Sequence, residues 1–487
     1  MQDVEMGAAT AAAPGELARR SATDLLAGYR SGAFTPSEAV DQILSQLAIV
    51  DGACNVVVTD LYDGAHAAAE AATAAYRSGD ALGPLAGVPV TIKDLVFVKD
   101  VAAKGGAPSL KDFVATTDAF VVERLKAAGA IVTCKTTTCE SGYKLTADNP
   151  VTGITRNPWS QDRTSGGSSG GAAAAVAGGG GPIAIGTDGV GSIRVPSSFC
   201  GVFGIKPTFG LVSRAPGFFP PSWGSLAHTG PITRTVADAA LMLDVIAGHD
   251  ARDAASLRTE TRYPNPQPGS LEGMTIGVSP DFGYAPVEPD VAAAFEAAVA
   301  ALTELGAKTV HLDALVPADI LESILKPIAL SEQAGSMGDR DESAFAQSDP
   351  DFRDVLAKGR TYSGVDYVEA THRRSKLRAR FLDLFSGIDM LASPTVAITA
   401  FAAGELGADS IAGRTVDRHL GWSPFTWPIN LTGLPAATVP CGFDQAGLPI
   451  GLQLVAPWLE ENRLFKVAAA FEAARPWAQH WPELTLA

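Results

Sequence analysis

The feature that most constrains this chain is a glycine-rich segment in its middle. Thirteen of the 42 residues from Arg163 to Gly204 are glycine, whereas the rest of the 487-residue chain has an ordinary glycine content. Glycine is enriched where the backbone needs a positive φ or must approach another group closely. The segment therefore predicts tight backbone turns inside a globular protein, and not a flexible linker.

Charge and hydropathy exclude several classes of protein. The net charge is −16 and the pI is about 4.9, whereas nucleic-acid binders and peripheral membrane proteins usually present a basic surface. The sequence has no uninterrupted apolar run of the length that spans a membrane, which is about 18 residues. The acidic start Met1–Glu5 is unlike a secretory signal. We expect a cytoplasmic protein with no nucleic-acid or membrane partner.

The cysteines and histidines show no metal-binding spacing. The five cysteines are odd in number and dispersed, which is typical of buried core residues in a reducing compartment. They are Cys54, Cys134, Cys139, Cys200 and Cys441. The seven histidines are scattered and form no ligand pair.

Helical and strand patterns alternate along the chain. A capping box over Thr35–Glu38 begins a helix, and the apolar run Val88–Ile92 predicts a buried strand. The alternation predicts an α/β fold in which helices cover a sheet. Further predicted helices are 61–76, 118–128, 289–305 and 367–385, and further strands are 130–134, 274–278, 309–312 and 390–392.

We expect one large domain over residues 1–487, because no linker or repeat divides the chain. Within it we distinguish N-terminal helices (1–80), a core (81–250) and a C-terminal part of the core (365–487). The polar stretch 313–364 is either a helical insertion that shapes a pocket or a surface excursion.

Phosphate binding is the first hypothesis for the glycine-rich segment. The sequence contains no GxxxxGK[ST] motif, which excludes a P-loop. Gly179, Gly181 and Ala184 match G-x-G-x-x-A, but Pro182 interrupts the match and an Ala-rich helix precedes it in place of a strand. This pattern disfavours a dinucleotide site.

Nucleophilic catalysis by Ser169 is the second hypothesis. The stretch Gly167–Gly171 reads G-S-S-G-G and satisfies G-x-S-x-G, the nucleophile elbow of α/β-hydrolase esterases. Such an enzyme also needs a histidine base, and none of the histidines stands in a revealing context.

A third hypothesis combines Ser192 with Lys93. Ser192 follows Gly189, Val190 and Gly191, whose backbone N–H groups can converge into an oxyanion hole. Lys93 ends an apolar strand and could be a base if its pKa fell from about 10.4 toward 7, which is worth about 4 kcal/mol. The alternative interpretation makes Lys93 a structural lysine paired with Asp94.

Four stretches of the sequence resemble the amidase signature hydrolases. They are Gly87–Asp94 (GVPVTIKD), Arg163–Gly171 (RTSGGSSGG), Gly186–Thr208 (GTDGVGSIRVPSSFCGVFGIKPT) and Asn430–Gly451 (NLTGLPAATVPCGFDQAGLPIG). The resemblance covers most of the chain. It implies the amidase-signature fold, a large mixed β-sheet flanked by helices on both faces.

The resemblance also implies a Ser–cisSer–Lys triad that needs no metal or other cofactor. Ser192 would be the acylated nucleophile, Ser168 the bridging serine after a cis peptide, and Lys93 the general base. The N–H groups from Gly189 to Ser192, including those of Val190 and Gly191, would hold the oxyanion. Val190 departs from the glycine that the family often has at that position.

Three more residues match family positions next to the triad. We interpret Asp188 and Arg194 as an internal support pair and Ser169 as a hydrogen-bonding neighbour of the triad.

Aromatic residues near these motifs suggest the substrate. They either line an apolar pocket or fill the core. In the loop 214–228 they are Phe218, Phe219 and Trp223, next to Pro220 and Pro221, and near the C-terminus they are Trp422, Phe425 and Trp427. The stretch WSPFTWPINLTG is similar to the aryl-acylamidase branch. We therefore expect an aryl or apolar amide substrate, and urethane (carbamate) cleavage is a hypothesis.

Two other functions stay open. One is the glutaminase subunit of a tRNA-dependent amidotransferase, which shares the triad and acts with partner subunits. The other is a non-catalytic binding role. For an independent enzyme we expect a monomer or a homodimer.

Overall fold

Strands from both halves of the chain join in one central sheet. The computed structural model describes residues 15–217, 225–338 and 342–484, and within these ranges eleven strands form the sheet. In chain order they are β1 (Val57–Asp60), β2 (Pro89–Lys93), β3 (Ile131–Thr136), β4 (Ile183–Asp188), β5 (Phe203–Lys206), β6 (His228–Thr233), β7 (Thr275–Val278), β8 (Lys308–His311), β9 (Met390–Pro394), β10 (Ala436–Phe443) and β11 (Pro449–Val455).

The strands are mixed in direction, which confirms the predicted mixed sheet. Their spatial order is β1-β3-β2-β4-β6-β5-β10-β11-β9-β7-β8. Strand β2 runs parallel to β3 and β4, and β7 runs parallel to β8 and β9. The remaining neighbours are antiparallel. The carboxyl ends of β2 and β4 therefore lie side by side at one edge of the sheet.

The same ranges contain thirteen α-helices. They are α1 (Ala22–Ser31), α2 (Pro36–Cys54), α3 (Tyr62–Ser78), α4 (Phe120–Ala127), α5 (Gly170–Ala177), α6 (Arg194–Cys200), α7 (Val236–Ile246), α8 (Pro289–Glu304), α9 (Lys326–Ser336), α10 (Pro350–Gly359), α11 (Gly364–Leu384), α12 (Trp427–Thr432) and α13 (Glu461–Ala474). Three short hairpins pair 148–149 with 153–154, 156–157 with 160–164, and 410–411 with 414–415.

The capping box predicted at the start of α2 is confirmed. The Thr35 hydroxyl accepts from the Glu38 N–H, and the Glu38 carboxylate accepts from the Thr35 N–H. The N-terminal region predicted to form helices also contains strand β1. This four-residue strand is half exposed and pairs only with β3, so its sequence carries too little apolar periodicity to predict it.

Helices cover both faces of the sheet, as predicted. Side chains alternate between the faces of a strand. In β4, Ile183 and Ile185 enter an apolar cluster that also contains residues of α7 and α13. Ala184 between them enters a second cluster, which contains residues of α2 and α5. Both sides of this strand are therefore buried, which explains its continuous apolar run.

The segment 313–364 is more helical than its sequence suggests. It contains α9, α10 and a π-helical turn at Leu321–Leu325. Residues Phe352 and Leu356 of α10 share an apolar cluster with Cys139 and Tyr143, so the segment packs against the chain that follows β3. Whether it is a variable insertion remains a prediction, as does the division of the chain into segments.

None of the helices in the described ranges combines the length and the apolarity that crossing a membrane requires. Three or more metal-ligating side chains do not come together in the same ranges. All five cysteines are free thiols. The prediction of core residues is confirmed for the four that are buried, whereas Cys441 is half-buried.

Candidate active site

Lys93 ends strand β2 and is fully buried. Its ammonium nitrogen lies among three hydroxyl groups. Nζ is 2.7 Å from Ser168 Oγ, 2.9 Å from Ser169 Oγ and 2.9 Å from Thr187 Oγ1. Because β2 and β4 are parallel neighbours, the ends of both strands bring Lys93 and Thr187 to the same place.

The environment of Lys93 favours the neutral amine. Burial lowers the pKa of Lys93 to about 7, against the smaller opposing effects of Cys139 and Asp188. Asp94 is not its partner: Oδ1 of Asp94 accepts a hydrogen bond from Lys135 at 3.1 Å. The interpretation of Lys93 as a structural lysine paired with Asp94 is therefore wrong.

Ser168 follows a cis peptide bond after Gly167. A Cβ at Gly167 would come within 2.2 Å of the Thr146 carbonyl oxygen, so only glycine allows this close approach of two backbones. The arrangement directs Ser168 into the same cavity as Ser192. The bridging geometry that the resemblance implies is therefore present on the Lys93 side.

Ser169 is buried behind Ser168 and is bonded on both sides. Its hydroxyl accepts from Lys93 and from the Thr187 N–H and donates to the Thr187 carbonyl. A nucleophile elbow needs a serine that faces the substrate beside a histidine, but Ser169 is fully hydrogen-bonded and does not line the cavity that Ser168 and Ser192 share. The ring nitrogens of His228, the histidine on β6, face the Asp188 carbonyl and a lysine instead.

Ser192 lies in the loop between β4 and α6. Within the described ranges its hydroxyl makes no hydrogen bond, and the residue lines a cavity. The N–H groups of Gly189, Val190 and Ser192 likewise have no acceptor there. Gly191 differs from the prediction, because its N–H donates to Asp188 Oδ1 at 2.8 Å. The carboxylate shapes the loop and takes this donor out of the predicted oxyanion hole.

Asp188 and Arg194 form a buried ion pair. Both side chains are fully buried, and two guanidinium nitrogens lie 3.0 Å from the two carboxylate oxygens. Burial alone would raise the pKa of Asp188, but Arg194 and the surrounding donors hold it well below its usual range. The ionised carboxylate anchors the loop that carries Ser192.

Four polar residues around this loop were not predicted from the sequence. Thr187 contacts Lys93, while Thr426, Asn430 and Gln453 bind Arg194, Asp188 or the Val190 carbonyl. Gln453 could have been recognised from the sequence, because it is a lone amide in the apolar strand β11 and buried polar groups need partners. Asn430 opens one of the quoted motifs, but its contact lies 242 residues away in the chain.

Ser168 and Ser192 line the same cavity. Its other described lining residues are mostly small or apolar, and they are Leu95, Val96, Ala119, Val121, Ser141, Gly142, Thr187, Gly189, Ser213, Arg214, Pro216, Gly217, Ala227 and Thr229.

The aromatic residues expected in the pocket need a correction. Trp422, Phe425 and Trp427 are buried in an apolar cluster of the core and do not line the cavity. Trp422 stacks on Phe199 with ring centroids 5.8 Å apart. The other predicted pocket residues, Phe218, Phe219, Pro220, Pro221 and Trp223, lie outside the described residues.

Comparisons with known proteins agree with this geometry. The family model described as Amidase matches residues 38–465. The chain is 37% identical over 467 residues to an acylamidase of Rhodococcus erythropolis, covering 95% of this chain and 97% of the relative. It is also 37% identical over 473 residues to one of the subunits of the glutamyl-tRNA(Gln) amidotransferase of Thermosynechococcus vestitus, covering 92% and 96%.

A solved structure gives the same assignment. A bacterial aryl acylamidase of the amidase signature enzymes superimposes with a TM-score of 0.88 at 30% identity, and the match covers 94% of this chain and 97% of that one. The buried lysine, the paired serines and the separate loop serine lie in the stretches by which the sequence resembles that family. The chain belongs to the amidase signature family.

Proposed function

We propose that this protein hydrolyses the C–N bond of aryl or apolar amides through an acyl-enzyme on Ser192. The observation that carries the proposal is the position of Lys93. Its Nζ is 2.7 Å from Ser168 Oγ, and no carboxylate of the described ranges lies within hydrogen-bond distance of it. A lysine held in this way can be a base near neutral pH.

The hydroxyl groups around Lys93 assign a proton route. A neutral amine has two N–H donors and one lone pair. Ser169 already donates its own proton to the Thr187 carbonyl, so Ser169 and Thr187 are the acceptors of the two N–H groups. Ser168 then directs its O–H to the lone pair. Its oxygen is left free to take a proton from Ser192.

Ser192 attacks the substrate carbonyl as its proton passes to Ser168 and the Ser168 proton passes to Lys93. The resulting oxyanion would be held by the free N–H groups of Gly189, Val190 and Ser192. Ser192 and Ser168 share no hydrogen bond in the unliganded structure, and such contacts commonly tighten only when substrate binds.

The intermediate collapses when the proton returns through Ser168 to the leaving nitrogen. The C–N bond breaks, the amine leaves and the acyl group stays on Ser192. Water then attacks this ester as the same serine and lysine take its proton, and the proton returns to the Ser192 oxygen when the acid is released. An aromatic carbamate would pass through the same steps, leaving an alkoxycarbonyl group on Ser192.

The cavity favours apolar substrates over glutamine. Relatives of the two kinds are equally similar, since the acylamidase and the amidotransferase relative both share 37% identity with this chain. Glutamine carries an α-ammonium group, which calls for a carboxylate partner. The described lining contains Arg214 but no acidic residue, and the adjoining sequence 218–224 (FFPPSWG) has none either.

The nucleophile can be identified with a fluorophosphonate probe. We expect a single adduct on Ser192 that is lost in Ser192→Ala and formed more slowly in Lys93→Ala. Ser168→Ala is the matched control for the relay, and it should also slow labelling. An adduct on Ser169 that depends on a histidine would overturn the proposal in favour of the elbow.

Substrate class can be tested separately on the purified chain. We expect turnover of 4-nitroacetanilide and of an aromatic carbamate, and little release of ammonia from glutamine. Activity on neither aryl substrate would remove this branch of the proposal. Glutamine hydrolysis that appears only when the other amidotransferase subunits are added would support the glutaminase function.

A further inference from the structure

The turn that follows strand β3 has an unusual backbone conformation beside the catalytic serines. Ser141 has φ 53° and ψ 15°, a left-handed conformation that residues with a Cβ rarely adopt. Gly142 follows with φ 72°. Glycine would adopt the Ser141 conformation without strain, so the serine side chain is present at a conformational cost.

The surrounding structure holds this turn in place. The Ser141 N–H donates to the Gly105 carbonyl at 2.8 Å. The buried Glu140 carboxylate accepts from the Ser348 hydroxyl at 2.6 Å and from the Asp349 N–H at 2.8 Å. Strained residues persist where the surroundings determine them in this way, and they cluster at functional sites.

The Ser141 hydroxyl is available to a ligand. The residue is buried and lines the cavity that contains Ser168 and Ser192. Within the described ranges its hydroxyl has no hydrogen-bond partner. By contrast, the hydroxyl of Ser213, another lining residue, donates to buried carboxylates.

Ser141 lies on the Ser168 side of the cavity. A Cβ built on the next residue, Gly142, would be 3.7 Å from Ser168 Oγ, so this turn borders the bridging serine. The free backbone N–H groups for the oxyanion belong to the loop of Ser192. An amide whose carbonyl oxygen faces these N–H groups would direct its nitrogen toward Ser168 and Ser141.

We propose that the Ser141 hydroxyl accepts a hydrogen bond from the scissile N–H and so selects amides over esters. The inference rests on the proposed acyl-enzyme mechanism and adds a recognition group to it. The leaving nitrogen must direct its lone pair at Ser168 to receive the proton. An acceptor for the N–H directs the N–H bond away from Ser168, so that the nitrogen lone pair faces Ser168. An ester oxygen has no N–H and gains nothing from this acceptor.

Two variants at one position separate the hydroxyl from the backbone. Ser141→Ala removes the hydroxyl and keeps the left-handed strain, whereas Ser141→Gly removes both. The substrates are 4-nitroacetanilide and 4-nitrophenyl acetate, which differ only in N–H against O at the scissile bond. Because kcat/KM reports the steps up to acylation, slow deacylation of the ester does not disturb the comparison.

For both variants we expect kcat/KM for the anilide to fall about tenfold, which corresponds to about 1.4 kcal/mol. The ester value should stay within about twofold of the parent. Thermal unfolding confirms that both variants are folded, and Ser141→Asn, whose side chain tolerates this conformation and offers a carbonyl acceptor, should recover part of the anilide rate.

Three results would overturn the proposal. The first is an unchanged anilide rate in Ser141→Ala. The second is an equal loss for both substrates, which indicates a structural role. The third is a loss in Ser141→Gly alone, which assigns the effect to the backbone. Ser192→Ala distinguishes these failures from failure of the mechanism, because it should abolish both reactions whatever Ser141 does.

Discussion

Lys93 and Lys135 lie on neighbouring parallel strands and are both fully buried, yet they have different partners. Lys135 binds the Asp94 carboxylate at 3.1 Å, whereas Lys93 is surrounded by hydroxyl groups. Burial lowers the pKa of both lysines, and at Lys135 the carboxylate opposes this effect. A buried lysine therefore becomes a base when its partners can accept and pass on protons without carrying a charge.

The strand register separates the two sites. Lys135 is opposite Ile92, and Lys93 is opposite Thr136. Because successive side chains point to opposite faces of a sheet, the two lysines point away from each other. A shift of one residue would bring both ammonium groups to one face. The register thus keeps the charged pair of Lys135 and Asp94 apart from Lys93.

Replacing Lys93 should have the largest effect on activity. Lys93→Met should lower kcat/KM by about 10³-fold, the usual range for loss of a general base. The free energy of unfolding at pH 7 should not fall, because the substitution removes a buried amine and leaves no carboxylate without a partner. Activity assays with denaturant unfolding measure both. A variant that keeps a tenth of the activity would contradict the role of Lys93.

Replacing Lys135 should have the opposite profile. Lys135→Met leaves Asp94 buried without its cation and should destabilise the fold by about 3–5 kcal/mol. The double variant Asp94→Asn/Lys135→Met removes both charges and should recover most of that loss, as measured by denaturant unfolding. Equal stabilities of the single and double variants would show that the pair is not coupled.

The pH dependence of kcat/KM and of stability tests the protonation state of Lys93. With a pKa of about 7, Lys93 is protonated at low pH, so kcat/KM for 4-nitroacetanilide should rise about tenfold per pH unit up to about pH 7 and then level off. The unfolded lysine keeps its proton to about pH 10.5. Stability should therefore rise from about pH 7 to 10.5, where the unfolded state binds the extra proton.

Lys93→Met is the control for that stability rise, since the part contributed by Lys93 should disappear in it. A rate profile that is flat from pH 5 to 10 would exclude Lys93 as the base.

The smallest expected effect is at Ser169. Ser169→Ala removes one hydroxyl partner of Lys93 and one acceptor of the Thr187 N–H, and it should lower kcat/KM about tenfold. Steady-state kinetics on the anilide, with Ser168→Ala as the matched control, measures the effect. Complete loss in Ser169→Ala together with normal labelling in Ser192→Ala would restore the esterase hypothesis.

Much of the fold could be predicted from local patterns. The capping box before α2 and the apolar strand that ends at Lys93 are properties of short stretches, and both are present. The edge strand β1 could not be predicted, because its pairing with β3 comes from residues more than seventy positions away. The sequence does not show which aromatic residues line the pocket and which fill the core, because contacts such as that of Trp422 with Phe199 form only in the folded chain.

The candidate chemical groups can be recognised in the sequence alone. They are a lysine at the end of a buried strand, a pair of serines among glycines, and a third serine in a glycine-rich loop. Local backbone rules and motif resemblance are sufficient for that. The partners of these groups arise only in the folded chain. There Asp94 pairs with Lys135, three hydroxyl groups surround Lys93, and the Gly191 N–H donates to Asp188. Partners depend on strand register and burial, and a pKa depends on partners.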